Sequence, residues 1–229
     1  QIPQCTGSAY AAKLKGDDTV SICFFGEGTS SEGDFHVGLN FAGVWKSPAI
    51  FFCRNNGYAI STPYEKTTAT EHIVLRAHGY GIRGVMVDGN DVLAVIKAVR
   101  EAAAWGRAGH GPTLIEAKTY RLAAHSTSDD PTSYRSREEE ELWIAKCPLK
   151  RLRAHLESKG LWDAAREQAC EDASSARIIA ALTVAEAKPH PTLDTVFDDV
   201  FAERPPHLDA QLEAMQAHVA SGESDYVSR

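Results

Sequence analysis

The chain has 229 residues, and its 24 lysines and arginines against 31 aspartates and glutamates give a formal net charge of −7 at pH 7. This length allows a large buried core, and a hydrophobic content of 43% excludes a disordered or collagen-like chain. Mild acidity without a basic stripe argues against nucleic acid or an anionic membrane as the main partner. No apolar run approaches the roughly 18 residues of a membrane-spanning helix.

The cysteines and the start of the chain bear on its compartment and extent. Five cysteines are scattered along the sequence without a C-x-x-C pair. An odd, dispersed set predicts reduced thiols rather than a disulfide framework. The chain starts at Gln1, without Met or a signal-peptide pattern, which predicts a piece of a longer polypeptide.

The first part of the chain alternates helical patterns with short apolar runs. Small residues predict a helix over residues 6–14, and a buried strand follows over residues 20–25. Cap-type residues from Thr29 predict a helix that ends near Trp45. A second buried strand is predicted over residues 49–53.

The same alternation continues to residue 120. A short helix is predicted over residues 71–78 and a strand over residues 84–87. Apolar residues at helical spacing predict a helix from Val92 to near Gly109, followed by a strand over residues 113–120. This order predicts an α/β fold, a mostly parallel sheet with helices on both faces.

Beyond Tyr120 the pattern changes. Residues 121–136 form a polar stretch without periodicity, and helical patterns dominate from Arg137. We therefore expect an α/β domain over residues 1–136 and a helical C-terminal extension over residues 137–229. The acidic run at 138–141 is expected to be a solvated helix face.

Two polar turns follow the first two predicted strands, Gly26-Glu27-Gly28 and Asn55-Asn56. In a parallel sheet both turns lie at the carboxyl ends of the strands, where ligands bind. The Glu27 carboxylate, the Asn56 amide oxygen and a backbone carbonyl near Tyr58 suit a hard cation such as Mg²⁺. The glycines allow close backbone approach, and the amides at Thr29 begin a predicted helix whose dipole favours an anion. A magnesium-bound diphosphate is the ligand that this pattern favours.

Each turn taken alone is also a common structural turn. Their pairing is more informative, because the 26 residues between Gly28 and Asn55 predict a helix and then a strand. This spacing resembles the thiamin-diphosphate and magnesium motif of thiamin-dependent enzymes.

Longer segments resemble the α subunits of branched-chain 2-oxo acid (2-oxoisovalerate) dehydrogenases. They include GEGTSSEGDFHVGLNFAGVWKSPAIFFCRNNGYAISTP, HSTSDDPTSYRS and PLKRLRAHLESKGLWD. The resemblance covers nearly the whole chain and implies a thiamin-diphosphate-binding fold, with an N-terminal part of the family upstream of Gln1. Glu27 stands where most thiamin enzymes have aspartate, which favours branched-chain α subunits over pyruvate-specific relatives.

The resemblance implies two sets of cofactor ligands. The Mg²⁺ ligands would be Glu27, Asn56 and the carbonyl of Tyr58. The diphosphate contacts would be Gly28, Thr29 and Arg54, although Arg54 without these neighbours is more typical of a strand-end arginine in a surface ion pair. The family also has a structural K⁺ site, for which Gln1 is the candidate ligand here.

The polar loop carries the remaining candidate residues. A histidine such as His125 serves in loops as a hydrogen-bonding residue or in proton transfer. The resemblance implies that His125 binds the cofactor and supports acyl transfer to a lipoyl group. Ser126 and Ser136 match kinase-targeted serines of the family, where phosphate would add about −1.5 to −2 charges beside His125. They are otherwise ordinary loop hydroxyls.

Four further residues are expected to hold this loop through mutual ion pairs and hydrogen bonds. They are Arg121, Asp129, Tyr134 and Arg135.

The implied activity is oxidative decarboxylation of branched-chain 2-oxo acids, with acyl transfer to the lipoyl group of an acyltransferase core. The implied partners are a β subunit, in an assembly of two α and two β chains, the acyltransferase core, and a kinase and phosphatase. The compartment would be the mitochondrial matrix in a eukaryote or the cytoplasm in a bacterium. Two alternatives stay open: a pyruvate or acetoin dehydrogenase α subunit, and a truncated, non-catalytic assembly module.

Overall fold

A computed structural model of the protein describes residues 1–222, which form two compact units that divide after Trp162. The first unit carries the sheet and the second is helical. Helices follow from Arg137 to residue 220, as predicted, and residues 223–229 lie outside the described part. The first two of these helices lie in the first unit, and a domain boundary at residue 136 stays a prediction.

The first unit is built from α helices, strands and short 3₁₀ helices. Its α helices are α1 (Ile2–Lys15), α2 (Gly33–Trp45), α3 (Val92–Arg107), α4 (Arg137–Ile144) and α5 (Pro148–Ser158). Its strands are β1 (Ser21–Gly26), β2 (Ala49–Asn55), β3 (Tyr58–Ala59), β4 (Thr62–Pro63), β5 (Arg83–Asp88) and β6 (Thr113–Lys118). Its 3₁₀ helices are Glu27–Ser31, Tyr64–Lys66, Ile73–Tyr80 and Pro131–Ser133.

The main sheet has the strand order β1-β2-β6-β5, with parallel pairing throughout. The register sets Gly26 opposite Arg54 and Asn55 opposite Lys118. The carboxyl ends of β1, β2 and β6 therefore lie side by side, and the predicted parallel sheet is confirmed. A separate antiparallel hairpin of β3 and β4 follows β2 directly.

Helices cover both faces of this sheet, as predicted. On one face α1, α2 and the 3₁₀ helix Ile73–Tyr80 enclose Phe35, Leu39, Phe51 and Leu114, each 0% exposed. On the other face α3 packs Ala98 and Ala102 against Ile50, Phe52 and Ile115. Burial of each large apolar side chain contributes about 1.5–3 kcal/mol and holds the carboxyl edge of the sheet in place.

Several predicted element boundaries were wrong. The helix expected from Thr29 is split into the 3₁₀ helix Glu27–Ser31 and α2, which begins at Gly33 without a side-chain cap. The helix expected over residues 71–78 is the 3₁₀ helix Ile73–Tyr80. Helix α1 begins at Ile2 rather than residue 6, because Pro3 lies in the first turn, where its missing N–H is tolerated.

The second unit contains α6 (Ala164–Glu186), α7 (Thr195–Asp198) and α8 (Pro206–Ala220). Phe197 of α7 and Leu212 of α8 are buried. None of the helices within residues 1–222 has the length and apolar content to cross a membrane.

The five cysteines are free thiols, as predicted. Three are buried, one is partly buried and one is exposed: in chain order, Cys5, Cys23, Cys53, Cys147 and Cys170.

Candidate functional site

The two polar turns meet at the carboxyl ends of β1 and β2, as the parallel sheet predicted. Glu27 begins the 3₁₀ helix Glu27–Ser31, and only 1% of it is exposed. Its Oε2 accepts a hydrogen bond from the backbone N–H of Asn56 at 3.1 Å. This hydrogen bond fixes Oε2 to the Asn55-Asn56 turn and leaves Oε1 available to bind a cation.

The other two predicted metal ligands are connected within the same turn. Asn56 Oδ1 accepts a hydrogen bond from the Tyr58 N–H at 3.1 Å, and an amide oxygen has a second lone pair. The Tyr58 carbonyl accepts a long hydrogen bond, 3.4 Å, from Arg121 Nη1. One carboxylate, one amide and one carbonyl oxygen therefore belong to two turns that a hydrogen bond joins. This donor set fits Mg²⁺, whose remaining positions phosphate and water commonly fill.

Gly28 is required by close packing against β3. A Cβ built on Gly28 would lie 2.7 Å from the Cβ of Ala59, whereas a Cβ on Gly26 would meet nothing within 4 Å. The close approach at Gly28 is therefore made by the Tyr58–Ala59 strand. The space beside Gly26, at the carboxyl end of β1, is open.

Thr29 lies in the short 3₁₀ helix, so its amide does not begin α2. The predicted contribution of the α2 dipole at Thr29 was therefore wrong, because α2 begins at Gly33. Thr29 lines a surface cavity of about 400 Å³ together with Gln1 and Asp34. A diphosphate contact at Thr29 and a K⁺ ligand at Gln1 stay predictions.

Arg54 lies on β2 opposite Gly26 in the register and is exposed. It forms no ion pair within residues 1–222, so the alternative of a surface ion pair finds no support there. Its position beside the first turn is compatible with a phosphate contact, which stays a prediction.

Hydrogen bonds join the polar loop to the hairpin after β2. Arg121 Nη2 donates to the carbonyl of Ile60 at 2.6 Å and to the Tyr134 hydroxyl at 2.8 Å. That hydroxyl donates to Asp129 Oδ2 at 2.7 Å, and the same oxygen accepts the His125 N–H at 2.7 Å. These hydrogen bonds, first from His125 and then from Tyr134, lower the pKa of Asp129.

Arg135 completes the support of the loop. Its guanidinium donates to the backbone carbonyls of Arg121 and Leu122, and it forms an ion pair with Glu140 at 3.8 Å. The predicted hydrogen bonding of the loop is therefore confirmed. The ion pair differs from the expectation, because the acidic partner is Glu140 of α4 rather than a loop residue.

His125 is exposed in this loop, and its backbone is held by Asp129. The structure thus links the loop to the turn over residues 55–58, which carries two of the predicted metal ligands and is called the metal turn below, through Arg121, which contacts both Tyr58 and Tyr134. A catalytic or cofactor-binding role of His125 stays a prediction.

The sequence did not predict one contact at the site, between Tyr58 and Glu139. Glu139 of α4 accepts hydrogen bonds from the Tyr58 hydroxyl at 3.1 and 2.9 Å. Burial and this carboxylate raise the pKa of Tyr58 well above its usual range. The expectation of a fully solvated acidic face was therefore wrong for Glu139. Nothing in the acidic run distinguishes this residue from its neighbours by sequence.

We expect Tyr134→Phe to loosen the loop. The substitution removes the hydroxyl that joins Arg121 to Asp129, at a cost of about 1 kcal/mol for each hydrogen bond. Limited trypsin digestion should then cut within residues 121–136 at least about fivefold faster. Tyr10→Phe is the matched control, since Tyr10 stacks on Trp45 away from the loop. Equal cleavage in both variants would contradict the proposed network.

The chain belongs to the dehydrogenase E1 component family, whose model matches residues 1–194. This family depends in general on thiamin diphosphate. The resemblance inferred from the paired turns is confirmed, together with the fold class that it implied.

Curated proteins of similar sequence are named as dehydrogenase α subunits. The chain is 48% identical over 220 residues to the mitochondrial 2-oxoisovalerate dehydrogenase subunits alpha of Bos taurus and Homo sapiens, covering 96% of this chain. It is 46% identical over 221 residues to the 3-methyl-2-oxobutanoate dehydrogenase subunit alpha of Mycobacterium tuberculosis, also 96% of this chain. The matches cover 48%, 49% and 60% of these relatives, so the chain spans about half the length of the mammalian ones.

Proposed function

We propose that this chain supplies the Mg²⁺ and diphosphate site of a branched-chain 2-oxo acid dehydrogenase α subunit. The observation that carries this proposal is the hydrogen bond between Glu27 and the Asn56 amide at the carboxyl edge of the parallel sheet. It joins the buried Glu27 carboxylate to the backbone N–H of Asn56, the residue whose side-chain oxygen we assign as a second ligand. The relatives' names supply the substrate class.

The residues of the chain hold the cofactor in defined roles. Glu27 Oε1, Asn56 Oδ1 and the Tyr58 carbonyl would hold Mg²⁺, whose charge would offset that of the diphosphate. The backbone amides at Gly28 and Thr29 would donate hydrogen bonds to the phosphate oxygens, and the Arg54 guanidinium would offset their charge. When bound, thiamin diphosphate supplies the carbon nucleophile and electron sink for decarboxylation.

His125 is the catalytic residue that we assign within the chain. The loop presents it through the hydrogen bond from its own N–H to Asp129 and through the Arg121–Tyr134 contact. An imidazole has both a proton-donating and a proton-accepting nitrogen, which is the chemistry that acyl transfer to a lipoyl group would need.

The subunit would act within a larger assembly. The designation alpha in the relatives' names implies a β partner, and we propose two α and two β chains that serve a lipoyl-bearing acyltransferase core.

Ser126 is exposed near Asp129, so a phosphate there would repel the loop's own carboxylates. Ser136 caps α4 through the Glu139 N–H at 3.2 Å. A kinase and phosphatase at these serines, and a K⁺ ion near Gln1, belong to the same proposal.

The proposal is tested by a substrate comparison. The full-length subunit, assembled with its β partner, is assayed with Mg²⁺, thiamin diphosphate and an artificial electron acceptor. We expect kcat/KM for 3-methyl-2-oxobutanoate to exceed that for pyruvate at least about tenfold, or about 1.4 kcal/mol at the transition state.

The other outcomes separate the alternatives. A preference for pyruvate, or for acetoin assayed in the same way, would overturn the substrate class and leave the cofactor site standing. Cofactor binding without turnover of any of these substrates would favour a non-catalytic assembly module.

A further inference from the structure

A second buried carboxylate lies behind the metal turn. Glu116 is in the middle of β6, opposite Cys53 on one side and Met86 on the other, and it is 0% exposed. A carboxylate removed from water costs several kcal/mol unless hydrogen bonds compensate. Its Oε1 accepts a hydrogen bond from Asn55 Nδ2 at 2.6 Å, and its Oε2 accepts the Val74 N–H at 2.9 Å.

The side-chain amide of Asn55 connects Glu116 to the metal turn, because it hydrogen-bonds to both. Asn55 is also 0% exposed, and its Oδ1 accepts the Gly57 N–H at 3.2 Å. The turn closed by this hydrogen bond contains Asn56 and leads directly into Tyr58. The backbone of two proposed metal ligands is therefore set by which way the Asn55 amide faces.

We propose that Glu116 is a positioning residue for the Mg²⁺ site, acting through Asn55. A carboxylate accepts hydrogen bonds and donates none, so Glu116 forces the NH₂ group of Asn55 toward itself and Oδ1 toward Gly57. Glu27 holds the same turn from the other side through the Asn56 N–H. The inference rests on the proposed function and adds a residue that does not touch the cofactor.

The chemistry explains why a carboxylate is needed at this position. A glutamine at 116 would turn a donor toward either Asn55 Nδ2 or the Val74 N–H, leaving two donors facing each other. If the Asn55 amide rotated to escape this, its NH₂ group would face the Gly57 N–H and the turn would lose its hydrogen bond. An Asn55→Asp substitution combined with Glu116→Gln restores every donor–acceptor pair and keeps the total charge.

The experiment uses the full-length subunit in its assembly with the β partner. Intrinsic fluorescence measures the Mg²⁺ concentration that half-saturates thiamin diphosphate binding, and a melt in chelator without cofactor measures folding. We expect Glu116→Gln to raise the half-saturating Mg²⁺ concentration at least about tenfold, the range of effects for residues that orient metal ligands. The variant N55D/E116Q should return to within about threefold of the wild type.

Thr113→Val is the matched control. Thr113 lies on the same strand, is 0% exposed, and its hydroxyl has no partner among the described residues. Its Mg²⁺ requirement should not change.

Each outcome decides the inference. If Glu116→Gln folds and binds Mg²⁺ as the wild type does, or if it lowers only the melting temperature, Glu116 is structural and the inference is overturned. If Glu116→Gln does not fold, the double variant N55D/E116Q decides. A double variant that folds but still needs a high Mg²⁺ concentration overturns the inference. A double variant that folds and binds Mg²⁺ as the wild type does supports it. Absence of cofactor binding by the wild type would overturn the proposed function and the inference together.

Discussion

Glu27→Gln is expected to weaken Mg²⁺-dependent binding of thiamin diphosphate at least about 100-fold, the upper range for residues that only support a metal ligand. Glutamine can still accept the Asn56 N–H through its carbonyl oxygen, but it then offers a neutral NH₂ group where a cation needs an oxygen. The expected result is therefore loss of the cofactor from a folded protein. Calorimetric titration of the assembled full-length enzyme with Mg²⁺ and thiamin diphosphate measures it.

Glu65→Gln is the charge-matched control for this experiment. Glu65 lies in the 3₁₀ helix Tyr64–Lys66 near the site in sequence, but it is exposed. Its substitution should leave cofactor binding and the melting temperature unchanged. Undiminished binding in Glu27→Gln would remove Glu27 from the metal site, because no neutral amide nitrogen replaces a carboxylate ligand.

The centre of the sheet was predictable because β2 and β6 are buried on both faces. β2 opens with five consecutive apolar residues, and such runs between turn residues are typical of central parallel strands. The hairpin of β3 and β4 was not predictable in this way, since each strand has two residues and offers no periodicity. The 3₁₀ helix Glu27–Ser31 was missed because Thr and Ser are equally suited to cap an α helix.

The paired turns of the site were predictable for the same topological reason. Parallel strands that are neighbours bring their carboxyl ends together, so Glu27 and Asn56 had to approach once β1 and β2 paired. The supporting contacts depend on long-range packing, which a single sequence does not encode locally. Arg121 reaches Tyr58 across 63 positions, and Asn55 reaches Glu116 across 61. A carboxylate in the middle of an apolar strand was the one local signal for Glu116.

Gly28→Ala is expected to damage both the stability and the cofactor site. The added methyl group would lie 2.7 Å from the Cβ of Ala59, where atoms in contact are normally 3.5–4.0 Å apart. Relief requires the 3₁₀ turn or the β3 strand to move, at about 1–3 kcal/mol of unfolding free energy. Because Glu27 precedes Gly28 and Tyr58 precedes Ala59, either movement separates two proposed metal ligands. Thiamin diphosphate affinity should fall at least about tenfold along with the melting temperature.

A compensating substitution tests whether the contact itself is the cause. The double variant Gly28→Ala/Ala59→Gly moves the methyl group from one side of the contact to the other and should recover most of the affinity, less the cost of a glycine in a strand, about 0.5–1 kcal/mol. Gly33→Ala is the control, because a Cβ there meets nothing within 4 Å. If the double variant binds the cofactor as poorly as Gly28→Ala, the glycine is needed for the ligand's own approach rather than for packing on β3. The diphosphate would then lie against Gly28, and the strand–turn contact would be secondary to it.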